Sequence, residues 1–363
     1  MSEHDWTLRP PPANSRDGSA AFVREVRAQI SDLIEPNQRI YWVDFLTTMA
    51  LGEIGFLFAS MAPAWSAYQL LGFVVAVLAF YRATVFTHEI AHARIGTLKP
   101  FTILWNVLCG IPFMMPSFMY GDHKAHHVNH SYGTANDAEY LPLALGTRLG
   151  LVAYFGQVFL VPILLMIRFM VLPPLTWLIP PLRPIVWERM SNIGTINWDY
   201  RREPITDPAE RRAALWQEIG CFVYGASFVT LVIVGIVPWF TWLMFYLVFL
   251  CVTAINYVRT LTAHRYLSDG HEVTYLEQLL DTNTVPGNPI LTELWAPLGM
   301  RYHALHHVVP SLPYHNMGIA HRRLMATLPA DSPYRRTIRR GLVDAVRNVL
   351  DSIHQGSTRL SSN

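Results

Sequence analysis

Residues 66–92, SAYQLLGFVVAVLAFYRATVFTHEIAH, join an apolar stretch to a pair of histidines. The part from 66 to 87 is long enough to cross a bilayer as a helix, which takes roughly 20 mostly apolar residues. His88 and His92 follow directly and, four residues apart, lie on one face of a helix. The stretch therefore predicts a membrane helix that carries two potential metal ligands at one end.

The whole chain has the composition of a membrane protein. Of its 363 residues, 52% are hydrophobic and only 15% are charged, which is unusual for a soluble protein. Three further stretches, 43–62, 219–237 and 239–258, are long and apolar enough to span a bilayer. We therefore predict an all-α membrane protein with about four transmembrane helices in two hairpins and a cytoplasmic helical cap that carries the histidines.

The distribution of charged residues predicts on which side of the membrane these helices end. The links inside the hairpins, MAPAWSAY and IVPWFTW, carry no charge. The outer flanks are rich in arginine: Arg24, Arg27, Arg39, Arg94, Arg201, Arg202, Arg211 and Arg212. Since cytoplasmic loops of membrane proteins collect basic residues, we expect both termini and the metal site in the cytoplasm.

The chain divides into three predicted parts. Residues 1–40 form a cytoplasmic N-terminal segment, partly disordered, and 41–325 form the membrane domain. Residues 326–363 form a cytoplasmic C-terminal helix and tail. No nucleic-acid partner is expected, because the net charge is +2 and Lys99 and Lys124 are the only lysines.

Two more apolar stretches need separate interpretation. Residues 101–119 contain Gly110, Pro112 and Pro116, which favour a broken helix that re-enters or lies flat. Residues 151–180 have Arg168 near the middle, so we favour an interfacial helix, with a true span as the alternative. Glu53 stands nearly alone at membrane depth and should face the protein interior.

Two more histidine clusters follow the first. They are GDHKAHHVNH at 121–130 and YHALHH at 302–307. On a helix, each H-x-x-H-H pattern directs three imidazoles towards one point. Zinc takes about four ligands, so eight or nine histidines are too many for one such ion and enough for two metals.

The three motifs HEIAH, HKAHH and HALHH, in this order, resemble the histidine boxes of the membrane fatty acid desaturase and hydroxylase superfamily. The resemblance covers roughly residues 40–325. NDAEY at 136–140 resembles the stretch that often follows the second box, and HHVVPSLPYHN at 306–316 resembles the third box and its continuation. The combination of boxes is specific, whereas a single H-x-x-H-H would not be.

The resemblance implies a dinuclear iron site held mainly by histidine. Carried over by motif, the ligands would be His88, His92, His123, His126, His127, His303, His306 and His307, with His264 as a ninth. In the family an asparagine can stand four residues before that ninth histidine, but here the position is Thr260. The candidates for a supporting role around the metal are Asn256, His130, Asp122 and His271, the last also a rival to His264. Glu89, Asp137 and Glu139 are candidate acceptors for the outer histidine nitrogens.

The implied activity is oxygen-dependent desaturation of an acyl chain of a fatty acid or lipid. Two Fe²⁺ ions would be the cofactors and O2 the co-substrate, and no catalytic side chain is expected beyond the metal centre. Reducing equivalents from NAD(P)H would arrive through a separate carrier of the ferredoxin, rubredoxin or cytochrome type, because no haem-domain motif or nucleotide-binding fingerprint is present.

Other functions remain compatible with the sequence. Hydroxylation or ketone formation on a lipid or hydrocarbon would use the same scaffold, and a histidine-rich zinc hydrolase of the membrane is a more distant alternative. A metal transporter is disfavoured, since it would need histidines or acids along the spans.

Overall fold

The computed structural model describes residues 15–94, 96–140, 148–193, 200–268, 270 and 272–360. Within these ranges the chain is helical and contains no strand, only two isolated bridges, which confirms the all-α prediction. The α-helices are α1 (Ser15–Gln29), α2 (Gln38–Met61), α3 (Ala67–His92), α4 (Lys99–Trp105), α5 (His123–His126), α6 (Arg148–Met166), α7 (Leu172–Leu178), α8 (Leu182–Met190), α9 (Pro208–Ile233), α10 (Trp239–Ala263), α11 (Tyr275–Leu280), α12 (Pro289–Trp295), α13 (His303–Val308), α14 (Tyr314–Thr327), α15 (Pro333–Arg336) and α16 (Leu342–Leu360).

Five helical stretches of the described chain are long and apolar enough to cross a membrane. Four of them, α2, α3, α9 and α10, are the predicted hairpins. The fifth is Leu149–Leu178, where α6 continues through a π-helical segment, Ile167–Val171, into α7. The protein is therefore an integral membrane protein, as its composition predicted.

The first hairpin is shaped by small residues. The side chain of Ser66 accepts a hydrogen bond from Gln69 N and so caps the start of α3. Gly55 of α2 and Gly72 of α3 lie where the two helices touch: a Cβ added to Gly55 would sit 2.7 Å from Ala76 N and 2.9 Å from Gly72 O. The backbones approach so closely only because both positions lack a side chain.

The stretch 101–119 is a broken helix, as predicted. Helix α4 runs into a π-helical turn, Asn106–Gly110, and the chain then turns and forms a 3₁₀ helix, Ser117–Tyr120. The amide of Asn106 joins the two halves, since Nδ2 donates to Ser117 Oγ and Oδ1 accepts from Ser117 N, each at 2.8 Å. The segment returns to the side from which it started, which keeps the first two histidine clusters together.

In the Leu149–Leu178 stretch, the charge that favoured an interfacial helix is buried and paired. Arg168, the reason for that interpretation, is only 3% exposed. Its Nη2 donates to Glu218 Oε2 of α9 and to Ser191 Oγ, both at 2.9 Å. A buried arginine paired with a carboxylate is compatible with an apolar surrounding, so the charge does not exclude a span.

A helical cap lies where α3 and α10 end. It contains α5, α11 and α13, and α1 packs onto it through Val26 and Ile30, in one apolar cluster with Leu305 of α13. Within the predicted N-terminal segment 1–40, residues 1–14 lie outside the described range.

Candidate metal centre

Four chain segments bring the predicted histidines to the same place. His88 and His92 end α3, and the second cluster forms α5 and the residue that follows it. His264 directly follows α10, and the third cluster forms α13. The long helices α3 and α10 thus contribute the histidines at their C-terminal ends, and the short helices α5 and α13 contribute the other histidines with the residue that follows α5.

The nine histidines form two adjacent groups of candidate ligand atoms, and within each group these atoms lie within 4.8 Å of one another. The first group is His88, His92, His123, His127 and His306. The second group is His126, His264, His303 and His307. All nine histidines singled out in the sequence fall into these groups, and the division into two fits the expected pair of metal ions.

The nitrogens of these rings crowd together as ligands do. In the second group, His264 Nε2 lies 3.1 Å from His126 Nε2 and 2.9 Å from His303 Nε2. In the first group, His306 Nε2 lies 3.1 Å from the Nε2 atoms of His92 and His127. Nitrogens bound at about 2.0–2.1 Å in octahedral directions are separated by about 3 Å. The spacing fits a metal better than a network of hydrogen bonds, because a neutral imidazole donates from one nitrogen only.

Two carboxylates fix the orientation of the second histidine cluster. Asp137 Oδ2 lies 2.8 Å from His126 Nδ1, and Glu139 Oε1 lies 2.6 Å from His123 Nδ1. A carboxylate can only accept here, so Nδ1 carries the hydrogen and, in the neutral ring, Nε2 presents its lone pair to the site. Asp137 is itself held by three backbone N–H groups, those of Gly133, Glu139 and Tyr140.

A hydrogen-bond chain performs the same task for His264. Tyr132 donates its hydroxyl hydrogen to Asp281 Oδ2 at 2.8 Å, and Tyr140 donates to the same oxygen at 2.5 Å. With its only hydrogen used, the Tyr132 oxygen accepts from His264 Nδ1 at 2.9 Å. Burial raises the pKa of Asp281 to about 6, although the two tyrosines oppose the shift.

Sequence reasoning missed these supporting residues. Tyr132, Tyr140 and Asp281 lie outside the histidine motifs, and so does Gln278, whose Nε2 lies 3.1 Å from His307 Nδ1. The signal for Tyr140 was its place as the last residue of NDAEY, and that for Tyr132 was its place two residues after the second cluster; Asp281 and Gln278 gave none.

Burial keeps most of these imidazole rings neutral. It lowers the pKa of His127, His264, His303, His306 and His307 well below the ordinary value, and neighbouring histidines lower it further. For His126, burial is outweighed by Asp137, which raises the pKa. Neutral imidazoles are the form that binds metal.

The other predicted residues have different positions. His130 is exposed and belongs to neither group. Asp122 pairs with Arg202 Nε at 3.3 Å and accepts from Asn192 at 3.1 Å, so it stabilises a loop instead of a histidine.

The remaining candidates do not orient a histidine either, as far as the described residues show. Asn256 accepts a hydrogen bond from Arg259 Nε at 3.1 Å. His271 lies outside the described residues. Glu89 accepts from the Tyr41 hydroxyl at 2.5 Å.

A cavity of about 120 Å³ adjoins the first histidine group. It lies between α3, α6 and α10 and is lined by His88, by apolar residues such as Val161, Phe249 and Val252, and by the polar Arg259. Several threonines and tyrosines line it as well, so the space combines apolar and polar walls, as sites for lipids or small molecules do.

The membrane helices and the nine-histidine centre define a metal-binding membrane oxidoreductase of the histidine-box class. Residues 63–339 match the family model "Fatty acid desaturase", and the chain belongs to that family. It is an oxidoreductase that acts on lipids. A ceramide hydroxylase from Caulobacter vibrioides (strain NA1000 / CB15N) is 38% identical over 336 residues, which cover 92% of this chain and 95% of that protein. No solved structure matches the chain significantly.

Proposed function

We propose that the protein is an oxygen-dependent hydroxylase of ceramide-type lipids. The observation that carries the proposal is the identity of 38% to a ceramide hydroxylase over 92% of the chain. A ceramide is an N-acylated long-chain amino alcohol, with one polar end and two apolar chains. The cavity beside His88 has both apolar and polar walls, which suits the part of such a molecule where a polar end joins an apolar chain.

The nine histidines are the proposed ligands of two iron ions. When bound, the irons would supply the reductive activation of O2 that cleaves an unactivated C–H bond. The reaction converts C–H, O2, two electrons and two protons into C–OH and water. The electrons would come from a separate carrier, which we propose to meet the histidine centre on the cytoplasmic side.

The chain itself contributes orientation and the exclusion of water. Asp137, Glu139 and Tyr132 hold the rings of His126, His123 and His264 with lone pairs directed inward. Most of the centre is shielded from water: His123, His126 and His306 are 1–2% exposed, and His92 is partly exposed. A dry site limits loss of reactive oxygen species to water, and the cavity wall keeps one carbon in place during the reaction.

Acyl-chain desaturation is the second candidate. The short first box, HEIAH, favours it, because this spacing resembles that of sphingolipid and some acyl-lipid desaturases. Both reactions begin by removal of hydrogen from carbon, and the position of the substrate decides which product follows.

Lipid analysis with heavy-isotope dioxygen separates the candidates. Cells that express the protein receive labelled O2, and their ceramides are compared by mass spectrometry with those of cells that express His306→Ala. Ceramide with one heavy oxygen atom, absent with the variant, is the expected product. Ceramide that lacks two hydrogens and carries no label would instead establish desaturation. Unchanged lipids in both cultures, with iron-loaded protein present, would contradict both candidates.

A further inference from the structure

One cation that lines the cavity, Arg259, has no charged partner among the residues that the structure describes. Arg259, on α10, is half-buried and lines the cavity together with His88. Its Nε donates to Asn256 Oδ1 at 3.1 Å and its Nη2 donates to Thr260 Oγ1 at 3.0 Å. Its third polar neighbour is the hydroxyl of Tyr81. All three are neutral.

The carboxylate that lines the same cavity is engaged elsewhere. Glu139 also lines the cavity, but its oxygens accept from His123 at 2.6 Å and from Tyr120 at 3.2 Å. Among the described residues, no carboxylate forms an ion pair with Arg259, in contrast to Arg82, which pairs with Asp44 and Glu293. A guanidinium has five N–H donors and remains charged, so a half-buried one without an anionic partner is unusual. Its remaining N–H groups can donate to an acceptor on a bound ligand.

The cavity is polarised along α10. Arg259 and Thr260 lie within about two turns of His264, at the histidine end. Phe249 lies ten residues earlier, which is about 15 Å further along the helix axis. There the wall is apolar, and Phe249 packs against Phe113 with ring centroids 5.6 Å apart. The donor and the candidate metal centre thus share one end, and the apolar wall leads away from both.

We infer that Arg259 is a specificity-determining residue that binds the amide carbonyl oxygen of the lipid. This inference rests on the proposed function and extends it to the site of reaction. A carbonyl held by Arg259 directs the chain towards Phe249, so the carbons beside His88 are those closest to the polar end. The new hydroxyl therefore enters within the first few carbons of the amide-bearing end, and far from the methyl end.

The first test is kinetic. Iron-loaded Arg259→Gln, Arg259→Lys and wild type are compared on ceramide, with Arg189→Gln as control, since Arg189 is exposed on α8 and lines no part of the cavity. A charge-assisted hydrogen bond is lost in Arg259→Gln, so KM for ceramide rises by about tenfold to a hundredfold while kcat changes less. Arg259→Lys keeps the charge and recovers part of the affinity. Iron per chain stays equal in all variants.

Product position is read from fragmentation spectra. Wild type is expected to place oxygen near the amide, and Arg259→Gln to give a broader distribution of positions. Oxygen near the methyl end in wild type, or an unchanged KM in Arg259→Gln, would overturn the inference.

A binding measurement separates this inference from the proposed function. The rise in thermal unfolding temperature is recorded for each variant with ceramide and with an alkane of the same chain length. Ceramide should stabilise wild type more than the alkane does, and Arg259→Gln should abolish that difference. An equal loss for both ligands would show a merely structural role and overturn the assignment. If ceramide binds through Arg259 but wild type does not oxidise it, the proposed function fails and the assignment of Arg259 stands.

Discussion

At the scale of single residues, the histidines of the boxes differ in burial and position from His130, which follows the second box. His126 is 2% exposed, lies 3.1 Å from His264 and is oriented by Asp137, whereas His130 is exposed and outside both groups. His126→Ala is therefore expected to abolish activity and to lower the iron content per chain. His130→Ala, the matched control, should retain most of both. Full activity and full metallation in His126→Ala would refute the ligand assignment.

The carboxylate behind His126 gives a second prediction. Asp137→Asn keeps the shape of the side chain but removes the strong acceptor for Nδ1, and changes of this kind typically weaken metal affinity by about 10–100-fold. We expect faster loss of iron to a chelator, followed by metal analysis over time. Asp331→Asn alters an exposed carboxylate and should behave as wild type. Equal rates for all three proteins would mean that Asp137 does not support the metal.

The sequence pointed to the histidines that cluster in the structure but only to some of the residues that orient them. Motif spacing reports which rings share a helix face and indicated the eight box histidines, and the family resemblance added His264. Asp281 and Gln278 reach the site from α11 and its C-terminal cap, where Asp281 meets Tyr132 across 149 positions of the chain and Gln278 meets His307 across 29. Such pairs have no periodicity, because only the fold brings them together.

At the scale of helices, the contact of α2 with α3 depends on glycine. In Gly55→Leu the new Cβ would lie 2.7 Å from Ala76 N, a backbone atom that cannot move aside. Overpacking commonly costs about 1–3 kcal/mol and more where backbone must shift, so we expect a lower thermal unfolding temperature and a lower yield of monodisperse protein. Gly156→Leu in α6 has nothing within 4 Å of its Cβ and serves as control. Equal stability of the two variants would argue against this helix contact.

Two apolar stretches show which features of the helices could be predicted from the sequence. For 101–119, glycine and proline act locally, and the predicted break is present. For 151–180, the position of Arg168 was read as a sign of an interface. The sequence does not reveal that Glu218, fifty residues away, lies 2.9 Å from it. A charge at membrane depth can be interpreted only together with its partner.

At the scale of the whole molecule, the two hairpins return the chain to one side and assemble the centre there. The arginine distribution predicts that this side is cytoplasmic. Cysteines introduced at Arg24 and Asp331, both exposed, should react with an impermeant reagent only after the cytoplasmic face is opened. A cysteine at Trp65, in the loop between α2 and α3 and 85% exposed, should react in intact cells. The reverse pattern would invert the topology.

Metal content of the purified protein, measured by mass spectrometry and calibrated per chain, tests the central claim most directly. The candidate ligands form one group of five histidines and one group of four, which predicts about two irons per chain. About one zinc per chain with iron absent, in protein purified without metal exchange, would contradict the oxygenase account and favour hydrolytic chemistry.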